Sequence, residues 1–205
     1  MSLLKRWHKR RQWDDGWRSW ETKRPGWLET GPRSQVREAR DSGWLPSDAS
    51  VVDVGCGIGN TSAWLAGLGH HVVGLDVSAV AIARARELHA GVADLTFEQA
   101  DITHSLALSD CFDVVLDLGC LHHLKPHAFE EYRANIRRLT APGSRLLYLV
   151  RIWERETDRS AEGRASLVQE VLGPEFELES AKATEMQAAH ARRINEGVEL
   201  RFLRR

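Results

Sequence analysis

Short apolar runs and stretches with helical spacing alternate along most of the chain. The apolar runs predict buried strands at 50–55, 71–76, 95–100, 112–118 and 144–150. The stretches between them predict helices at 60–68, 79–90 and 127–140, and the linker 103–110 is left unassigned. Strands that alternate with helices at this spacing indicate right-handed crossovers and a parallel sheet with helices on both faces.

The pattern becomes looser after residue 150. It predicts a helix at 160–172, a strand at 176–183, a polar helix or loop at 185–196 and a final strand at 198–203. A late pair of strands with so polar a connection is typical of an antiparallel edge on a parallel sheet. We therefore expect an α/β fold built on a mostly parallel seven-stranded sheet whose last strand is antiparallel.

Five of the eight tryptophans lie in the first 30 residues. Trp13, Trp17 and Trp20 are spaced i, i+4 and i+7, which places them on one face of a helix that a following Pro-Gly pair would end. This face either packs an N-terminal helix onto the domain or forms a lid that lines a substrate pocket. Both interpretations stay open at this point.

The stretch Val51–Asn60 reads Val-Val-Asp-Val-Gly-Cys-Gly-Ile-Gly-Asn, which indicates a strand, a glycine turn and the start of a helix. Glycines let a ligand approach the backbone, and the next helix offers unpaired N–H groups. A dinucleotide fingerprint would require glycine at position 60, where this chain has asparagine, so the spacing disfavours a pyrophosphate. We expect a ligand across the carboxyl end of this strand.

Polar residues also follow the next three predicted strands. Asp76 ends the second strand, Asp101 follows the third and His122 follows the fourth. Ligands of parallel sheets lie at this carboxyl edge. A carboxylate in the position of Asp76 accepts hydrogen bonds from two ribose hydroxyls in both nicotinamide and adenosyl sites, so it predicts a ribose without naming the cofactor.

Four stretches taken in order carry a family resemblance. The glycine turn is followed by Val-Val-Gly-Leu-Asp-Val-Ser, by Gln-Ala-Asp-Ile, and by Phe-Asp-Val-Val-Leu-Asp-Leu-Gly-Cys-Leu-His-His-Leu. Together they resemble the class I S-adenosylmethionine-dependent methyltransferases over roughly half of the chain. A narrower similarity to the thiopurine and halide methyltransferase branch rests on Trp-Asp-Asp-Gly-Trp at 13–17, a later Trp27 and Gly-His-His-Val-Val-Gly.

The resemblance implies a Rossmann-like doubly wound fold that binds S-adenosylmethionine and releases S-adenosylhomocysteine. It implies that the glycine turn surrounds the methionine end of the cofactor, with Asp53 supporting that loop. By the same resemblance Asp76 holds the ribose, the pair at 101–102 frames the adenine, and residues 117–119 pass beside the amino-acid moiety. The residues expected at the cofactor are Asp53, Gly55, Cys56, Gly57, Gly59, Asn60, Asp76, Val77, Asp101, Ile102, Asp117, Leu118 and Gly119.

Methyl transfer from a sulfonium is an in-line displacement, so the acceptor needs alignment and, if it begins protonated, a base. His122 and His123 follow the fourth strand and are the candidate catalytic residues, although one imidazole of an adjacent pair is expected to point away and the loop also suits a structural role. Arg151 either grips a substrate carboxylate or pairs with the acidic residues that follow it. The candidate substrate contacts are Trp13, Trp17, Trp20, Trp27, Arg151 and Trp153.

Composition bounds the domain count and the class of partner. With 205 residues, of which 42% are hydrophobic, the chain can bury one core. With the resemblance, we expect an N-terminal helical lid or extension at 1–45 and an S-adenosylmethionine-binding methyltransferase domain at 46–205. Lys and Arg number 28 against 29 Asp and Glu, for a net charge of −1, which disfavours nucleic acid and anionic lipid as partners. The basic run at 5–11 is therefore interpreted as a solvated helix face.

The remaining sequence features concern metals, redox state and location. The three cysteines share no metal-ligand spacing and fit a reducing compartment, and no metal site is expected. The chain has no run of 18 apolar residues and no signal-like segment, so we expect a soluble cytoplasmic protein, monomeric or homodimeric, that acts on a small molecule.

The leading hypothesis is a methyltransferase that acts on a small molecule at N, O or S. One alternative uses S-adenosylmethionine in non-methylating chemistry, such as cleavage or cyclisation of its aminobutyrate arm, and another is a non-catalytic S-adenosylmethionine-binding protein. A nicotinamide enzyme is disfavoured by Asn60 and by the order of the four stretches. An Asp-Pro-Pro-Tyr motif after the fourth strand, expected of base-amine methylation, is absent.

Overall fold

A computed structural model describes residues 3–19, 31–108, 110–151, 160–186 and 195–205, with side chains described from residue 11 onward in the first range. The helices are α1 Leu3–Arg18, α2 Ser34–Asp41, α3 Asn60–Ala66, α4 Ala79–Leu88, α5 Phe129–Arg138 and α6 Ala161–Leu172. Two short 3-10 turns lie at Leu121–His123 and Pro126–Ala128. The strands are β1 Ser50–Val54, β2 His71–Asp76, β3 Leu95–Gln99, β4 Phe112–Asp117, β5 Thr140–Arg151, β6 Phe176–Met186 and β7 Asn195–Arg204.

The seven strands form one sheet in the order β3-β2-β1-β4-β5-β7-β6. The first five strands in this order pair in parallel, whereas β7 runs antiparallel to both of its neighbours. The chain order reverses at β1, so the sheet extends outward on both sides of β1 and β4. The predicted fold, Rossmann-like and mostly parallel with an antiparallel last strand, is confirmed.

Three predicted boundaries are corrected, namely the end of β6, the start of β7 and the start of β5. Residues 185–186 and 195–196, predicted within a polar helix or loop, belong to β6 and β7, because the ladder continues to the pairs Glu185 with Glu196 and Met186 with Asn195. Polar residues are tolerated there because β6 is an edge strand with one side open to water. In β5, Thr140 already pairs with Phe112, ahead of the predicted start at 144.

The hydrophobic core lies on both faces of the central strands. On one face Val51, Val114 and Leu147 are fully buried in a cluster that includes Val36 and Ala39 of α2. The opposite face is covered by a larger cluster to which α5 and α6 contribute. Because α2 packs into the core, it belongs structurally with the sheet, and the division of the chain between residues 45 and 46 stays a prediction.

The N-terminal helix α1 packs against α4. Trp17 is 4% exposed and lies in a cluster with Ile58, Val80 and Ala81. The helix ends at Arg18. Trp20, Trp27 and Trp153 lie outside the described residues, so nothing is concluded about their predicted roles. None of the helices in the described part of the chain is both long and apolar enough to cross a membrane.

Candidate cofactor and substrate site

The glycine turn joins β1 to α3 at the carboxyl edge of the sheet. Gly57 has φ +58°, and a Cβ built on it would lie 2.7 Å from Cζ2 of Trp17. A Cβ on Gly59, at φ +77°, would lie 2.3 Å from the Phe97 ring. Both distances are far inside van der Waals contact, so these glycines are required by packing as well as by backbone conformation.

Asp76, at the end of β2, is tied to the glycine turn. Its Oδ2 accepts a hydrogen bond from the Gly57 N–H at 2.9 Å, and its Oδ1 accepts one from the Ser78 N–H at 2.8 Å. Burial raises the pKa of Asp76 to about 6, against the lowering effect of these bonds. A carboxylate has about four acceptor positions, so both oxygens retain capacity for hydroxyl donors.

Two further carboxylates lie below the turn. Asp53 is 2% exposed and accepts a 2.6 Å hydrogen bond from the Ser62 hydroxyl, and burial raises its pKa to about 6. Asp117 is fully buried and accepts hydrogen bonds from the Tyr132 hydroxyl at 2.7 Å and the Cys120 N–H at 2.7 Å. Burial raises the pKa of Asp117 as well. Asp117 therefore holds the backbone of the turn after β4 in place through its hydrogen bond to Cys120.

Asp101 follows β3, and its carboxylate contacts the residues that come two and three positions later in the chain. Oδ1 accepts hydrogen bonds from the Thr103 N–H at 3.0 Å and its hydroxyl at 2.6 Å, and Oδ2 lies 3.0 Å from Nδ1 of His104. The neighbouring Ile102 is buried in the core and also lines a large cleft at this edge of the sheet. The backbone at 100–102 thus forms a fixed, mostly apolar wall.

A large cleft lies at this edge of the sheet. Its volume, including the part open to solvent at the mouth, is ≈ 1080 Å³. Its walls come from the carboxyl ends of β1, β2 and β4, the segment after β3, the turn after β4, α1 and the end of β6. The lining residues are Trp13, Trp17, Arg33, Val54, Gly55, Leu75, Asp76, Val77, Ala100, Asp101, Ile102, Leu118, Gly119, Cys120, His122, His123, Leu124 and Met186.

A smaller cleft of ≈ 500 Å³ adjoins it and shares part of its lining. Trp17, Arg33, Gly55 and Leu118 line both clefts. The remaining walls of the smaller cleft are Gly31, Asp53, Cys56, Gly57, Ile58, Asn60 and Thr61. The two spaces therefore form one elongated site that passes the glycine turn.

His122 and His123 both line the large cleft, contrary to the expectation that one imidazole points away. The reason is that they lie in the 3-10 turn Leu121–His123, where adjacent side chains need not oppose one another. The His122 and His123 rings are 4.3 Å apart, and His123 makes an edge contact with Trp13 at 5.0 Å. These rings form an aromatic corner at one end of the cleft.

His122 is neutral at physiological pH. Burial is the main cause that lowers its pKa to about 3, and the positive charges of Arg151 and Arg164 lower it further. Its Nδ1 lies 3.3 Å from the Arg151 N–H, which donates to it. This contact places the imidazole proton on Nε2, so the ring offers a hydrogen-bond donor.

The clefts bring together most of the predicted site residues that the structure describes. Asp117, Gly59 and Arg151 do not line either cleft, although Asp117 and Gly59 shape the adjoining turns. Sequence reasoning missed Arg33, just before α2, and Met186, at the end of β6. Arg33 carried no motif, and the predicted strand ended at 183, short of Met186.

Comparisons with known proteins identify a domain and the fold. Residues 51–143 match a family model described as "Methyltransferase domain". The 2-heptyl-1-hydroxyquinolin-4(1H)-one methyltransferase of Mycobacteroides abscessus is 33% identical over 129 residues, which are 62% of this chain and 56% of that relative. This chain therefore spans less than two thirds of that relative's length.

Two solved structures share the fold along most of the chain. One comes from work on the conversion of a disulfide bond into a thioacetal group during echinomycin biosynthesis, with a TM-score of 0.79, 24% identity, and coverage of 95% of this chain and 92% of that one. The other is the 1,6-didemethyltoxoflavin-N1-methyltransferase of Burkholderia thailandensis with bound 1,6-didemethyltoxoflavin and S-adenosylhomocysteine. Its TM-score is 0.72 at 19% identity, with coverage of 100% and 91%.

Proposed function

We propose that this chain is a class I S-adenosylmethionine-dependent methyltransferase that transfers a methyl group from S-adenosylmethionine to a small molecule, which the methyltransferase domain matched at residues 51–143 supports. The observation that carries this proposal is the single elongated site in which the Asp76 carboxylate and glycine turn lead into an aromatic corner. The comparisons support the superfamily and do not distinguish the thiopurine and halide branch within it.

The cofactor is proposed to lie along the carboxyl edge of the sheet. Asp76 accepts the two ribose hydroxyls, since both of its oxygens retain acceptor capacity. The apolar wall at 100–102 receives the adenine ring. The methionine end lies at the glycine turn in the smaller cleft, whose polar wall includes Asp53 and Asn60.

Arg33 is proposed as the partner of the cofactor carboxylate. It lines both clefts at their junction, and its backbone N–H is fixed by a 3.3 Å hydrogen bond to the Thr61 hydroxyl. A guanidinium there faces a site whose other charged walls are the carboxylates Asp53, Asp76 and Asp101 among the described residues. A negative ligand group is therefore favoured next to Arg33.

The acceptor is proposed to enter at the aromatic corner. Trp13, His122, His123 and Met186 give this end flat and polarizable surfaces, which favour a planar, largely apolar molecule. The hydroxyquinolone and toxoflavin methyltransferases among the similar proteins act on heteroaromatic compounds by name, and we extend that class to this chain. Whether the methylated atom is N, O or S follows from the acceptor that fits.

Chemically, the described residues supply alignment of the acceptor. An in-line displacement requires the nucleophile, methyl carbon and sulfur on one line, and the walls of the corner restrict the acceptor to a narrow range of orientations. His122, neutral and with its proton on Nε2, donates a hydrogen bond that orients a polar atom of the acceptor. Trp13 and Trp17 of α1 cover the site, which supports the lid interpretation of the N-terminal helix.

We also propose that the protein is cytoplasmic and that its acceptor is a small molecule and not a nucleic acid. The net charge of −1 supports action on a small molecule in preference to nucleic acid, and three cysteines without disulfide partners among the described residues support the cytoplasm.

The test is transfer from methyl-labelled S-adenosylmethionine to a panel of heteroaromatic phenols, N-hydroxy compounds, ring amines and thiols, after calorimetry with S-adenosylhomocysteine. We expect S-adenosylhomocysteine to bind, NAD to bind far more weakly, and one acceptor class to be labelled. Consumption of cofactor without any acceptor would favour cleavage or cyclisation of the aminobutyrate arm. Binding without transfer to any acceptor class would favour a non-catalytic binding protein.

A further inference from the structure

Two adjacent carboxylates on α1 have opposite environments. Asp14 is 8% exposed, whereas Asp15 is exposed and pairs on the helix surface with Arg18 at 2.6 Å. Asp14 Oδ1 accepts a 2.6 Å hydrogen bond from the Ser78 hydroxyl and a longer one, 3.3 Å, from the Val80 N–H. Asp14 does not line either cleft, so neither contact with ligand nor solvation accounts for its position.

Ser78 links this carboxylate to the ribose carboxylate. Its hydroxyl donates to Asp14 and accepts from the Ala81 N–H at 3.2 Å as the cap of α4. Its own N–H donates to Asp76 Oδ1 at 2.8 Å. One residue therefore bonds to α1 with its side chain and to Asp76 with its backbone.

The second partner of Asp76 is also in contact with α1. Gly57, whose N–H donates to Asp76 Oδ2, lies directly against the Trp17 ring. Asp14 and Trp17 are the two buried residues of the stretch 11–18. Thus α1 reaches two of the residues that bond to the Asp76 carboxylate, Ser78 and Gly57, through the two buried side chains of the stretch 11–18.

The charge of Asp14 also acts on Asp76 directly, and this effect can be measured through the pKa of Asp76. The negative charge of Asp14 raises the pKa of Asp76. On the side of the glycine turn, Asp53 and Cys56 also interact electrostatically with Asp76. Removal of the charge on Asp14 should therefore lower the pKa of Asp76 even where the hydrogen bond to Ser78 survives.

We propose that Asp14 is a positioning residue for the cofactor: through Ser78 it fixes the orientation of Asp76, so that docking of α1 and binding of the cofactor ribose support each other. This inference rests on the proposed function, because it assumes that Asp76 receives a ribose. It adds to that function a residue outside both clefts and a physical route from the N-terminal helix to the cofactor.

The experiment measures S-adenosylhomocysteine binding by calorimetry from pH 5 to 8 for the full chain and for Asp14→Ala, Asp14→Asn and Asp15→Ala. At pH 8 we expect at least about a tenfold loss of affinity for Asp14→Ala, and less than about a twofold change for the exposed control Asp15→Ala. Asp14→Asn keeps an oxygen that accepts from Ser78, so it should bind nearly as well at pH 8. Its loss of affinity on acidification should begin at a lower pH than in the wild type.

Each outcome decides between the proposals. Wild-type affinity in Asp14→Ala, or an unchanged acid midpoint in Asp14→Asn, would overturn the role of Asp14. If Asp14→Ala does not fold, the acid midpoint of Asp14→Asn decides alone. A wild-type chain that does not bind S-adenosylhomocysteine at any pH would instead count against the proposed function.

Discussion

Substitution of Gly57 by alanine tests how α1 is held against the glycine turn of the proposed cofactor site. The new Cβ would lie 2.7 Å from Cζ2 and 3.0 Å from Cη2 of Trp17, so the ring must move by about 1 Å to reach ordinary contact. Trp17 is carried by α1, where it and Asp14 are the buried side chains within the described stretch 11–18. We therefore expect the overlap to be relieved by displacement of α1, with β1 and β2 left in place.

The magnitude has two separable parts. An L residue at φ +58° costs about 1–2 kcal/mol of folding free energy whatever its surroundings, and overpacking against Trp17 adds about 1–3 kcal/mol. Gly43 provides a matched control, because it has φ +73° and no heavy atom within 4 Å of a built Cβ. Gly43→Ala should therefore show the conformational part alone.

The assay combines urea unfolding with titration of S-adenosylhomocysteine. Gly57→Ala should be less stable than Gly43→Ala by about 1–3 kcal/mol and should bind the ligand more weakly, while Gly43→Ala binds normally. In a Trp17→Ala background the steric part should disappear, which a double-mutant cycle would report as a coupling of similar size. Equal losses for the two alanine variants, with a coupling below about 0.5 kcal/mol, would refute the packing argument.

Three further predictions concern ionisable groups of the site. Asp76→Ala should weaken S-adenosylhomocysteine binding by about 1–3 kcal/mol in calorimetry, because two ribose hydroxyls lose a charged acceptor. An unchanged affinity would show that Asp76 does not bind the ribose. Arg33→Met should weaken S-adenosylhomocysteine but leave 5′-methylthioadenosine, which lacks the carboxylate, unaffected; equal losses for both ligands would contradict its role. The His122 pKa is lowered from 6.5 to about 3, so the unfolded chain binds its proton first as pH falls. The wild type should thus lose up to about 2 kcal/mol relative to His122→Gln between pH 7 and 5 in urea unfolding, and parallel pH profiles would contradict the buried, neutral imidazole.

The position of the glycine turn, Asp76 and Asp101 in the fold was predictable because it depends on the order of strands along the chain. Parallel strands end at one edge of the sheet, so the glycine turn, Asp76 and Asp101 had to meet there once the strands were recognised. The reason for Gly57 was not predictable in full. Its partner Trp17 lies on another element, and the packing between them follows from tertiary structure.

The residues that sequence reasoning missed depend on contacts that leave little trace in the sequence. Asp14 lies in a highly charged helix, and the pattern gives no sign that it is buried while Asp15 is exposed. Arg33 is one of 28 basic residues and lies in an irregular segment, and Met186 follows a polar stretch that interrupts strand periodicity. The two tryptophan interpretations also converge, since Trp17 is buried in a core cluster and lines the clefts.

The helix α1 and the strand β1 differ in burial and pairing, so they should differ in local stability, which hydrogen exchange can measure. Residues 51–54 of β1 are buried and β1 is paired on both sides, whereas within residues 11–18 of α1 only Asp14 and Trp17 are buried. Amides of α1 should therefore exchange by local opening, at a free energy well below that of β1. Addition of S-adenosylhomocysteine should slow α1 through Asp76, Ser78 and Gly57, and β1 serves as the internal control. If α1 exchanges as slowly as β1 without ligand, the helix is a fixed part of the domain and the lid proposal is wrong. If only an acceptor slows α1, the helix closes on the second substrate, and the link through Asp14 is too weak to matter.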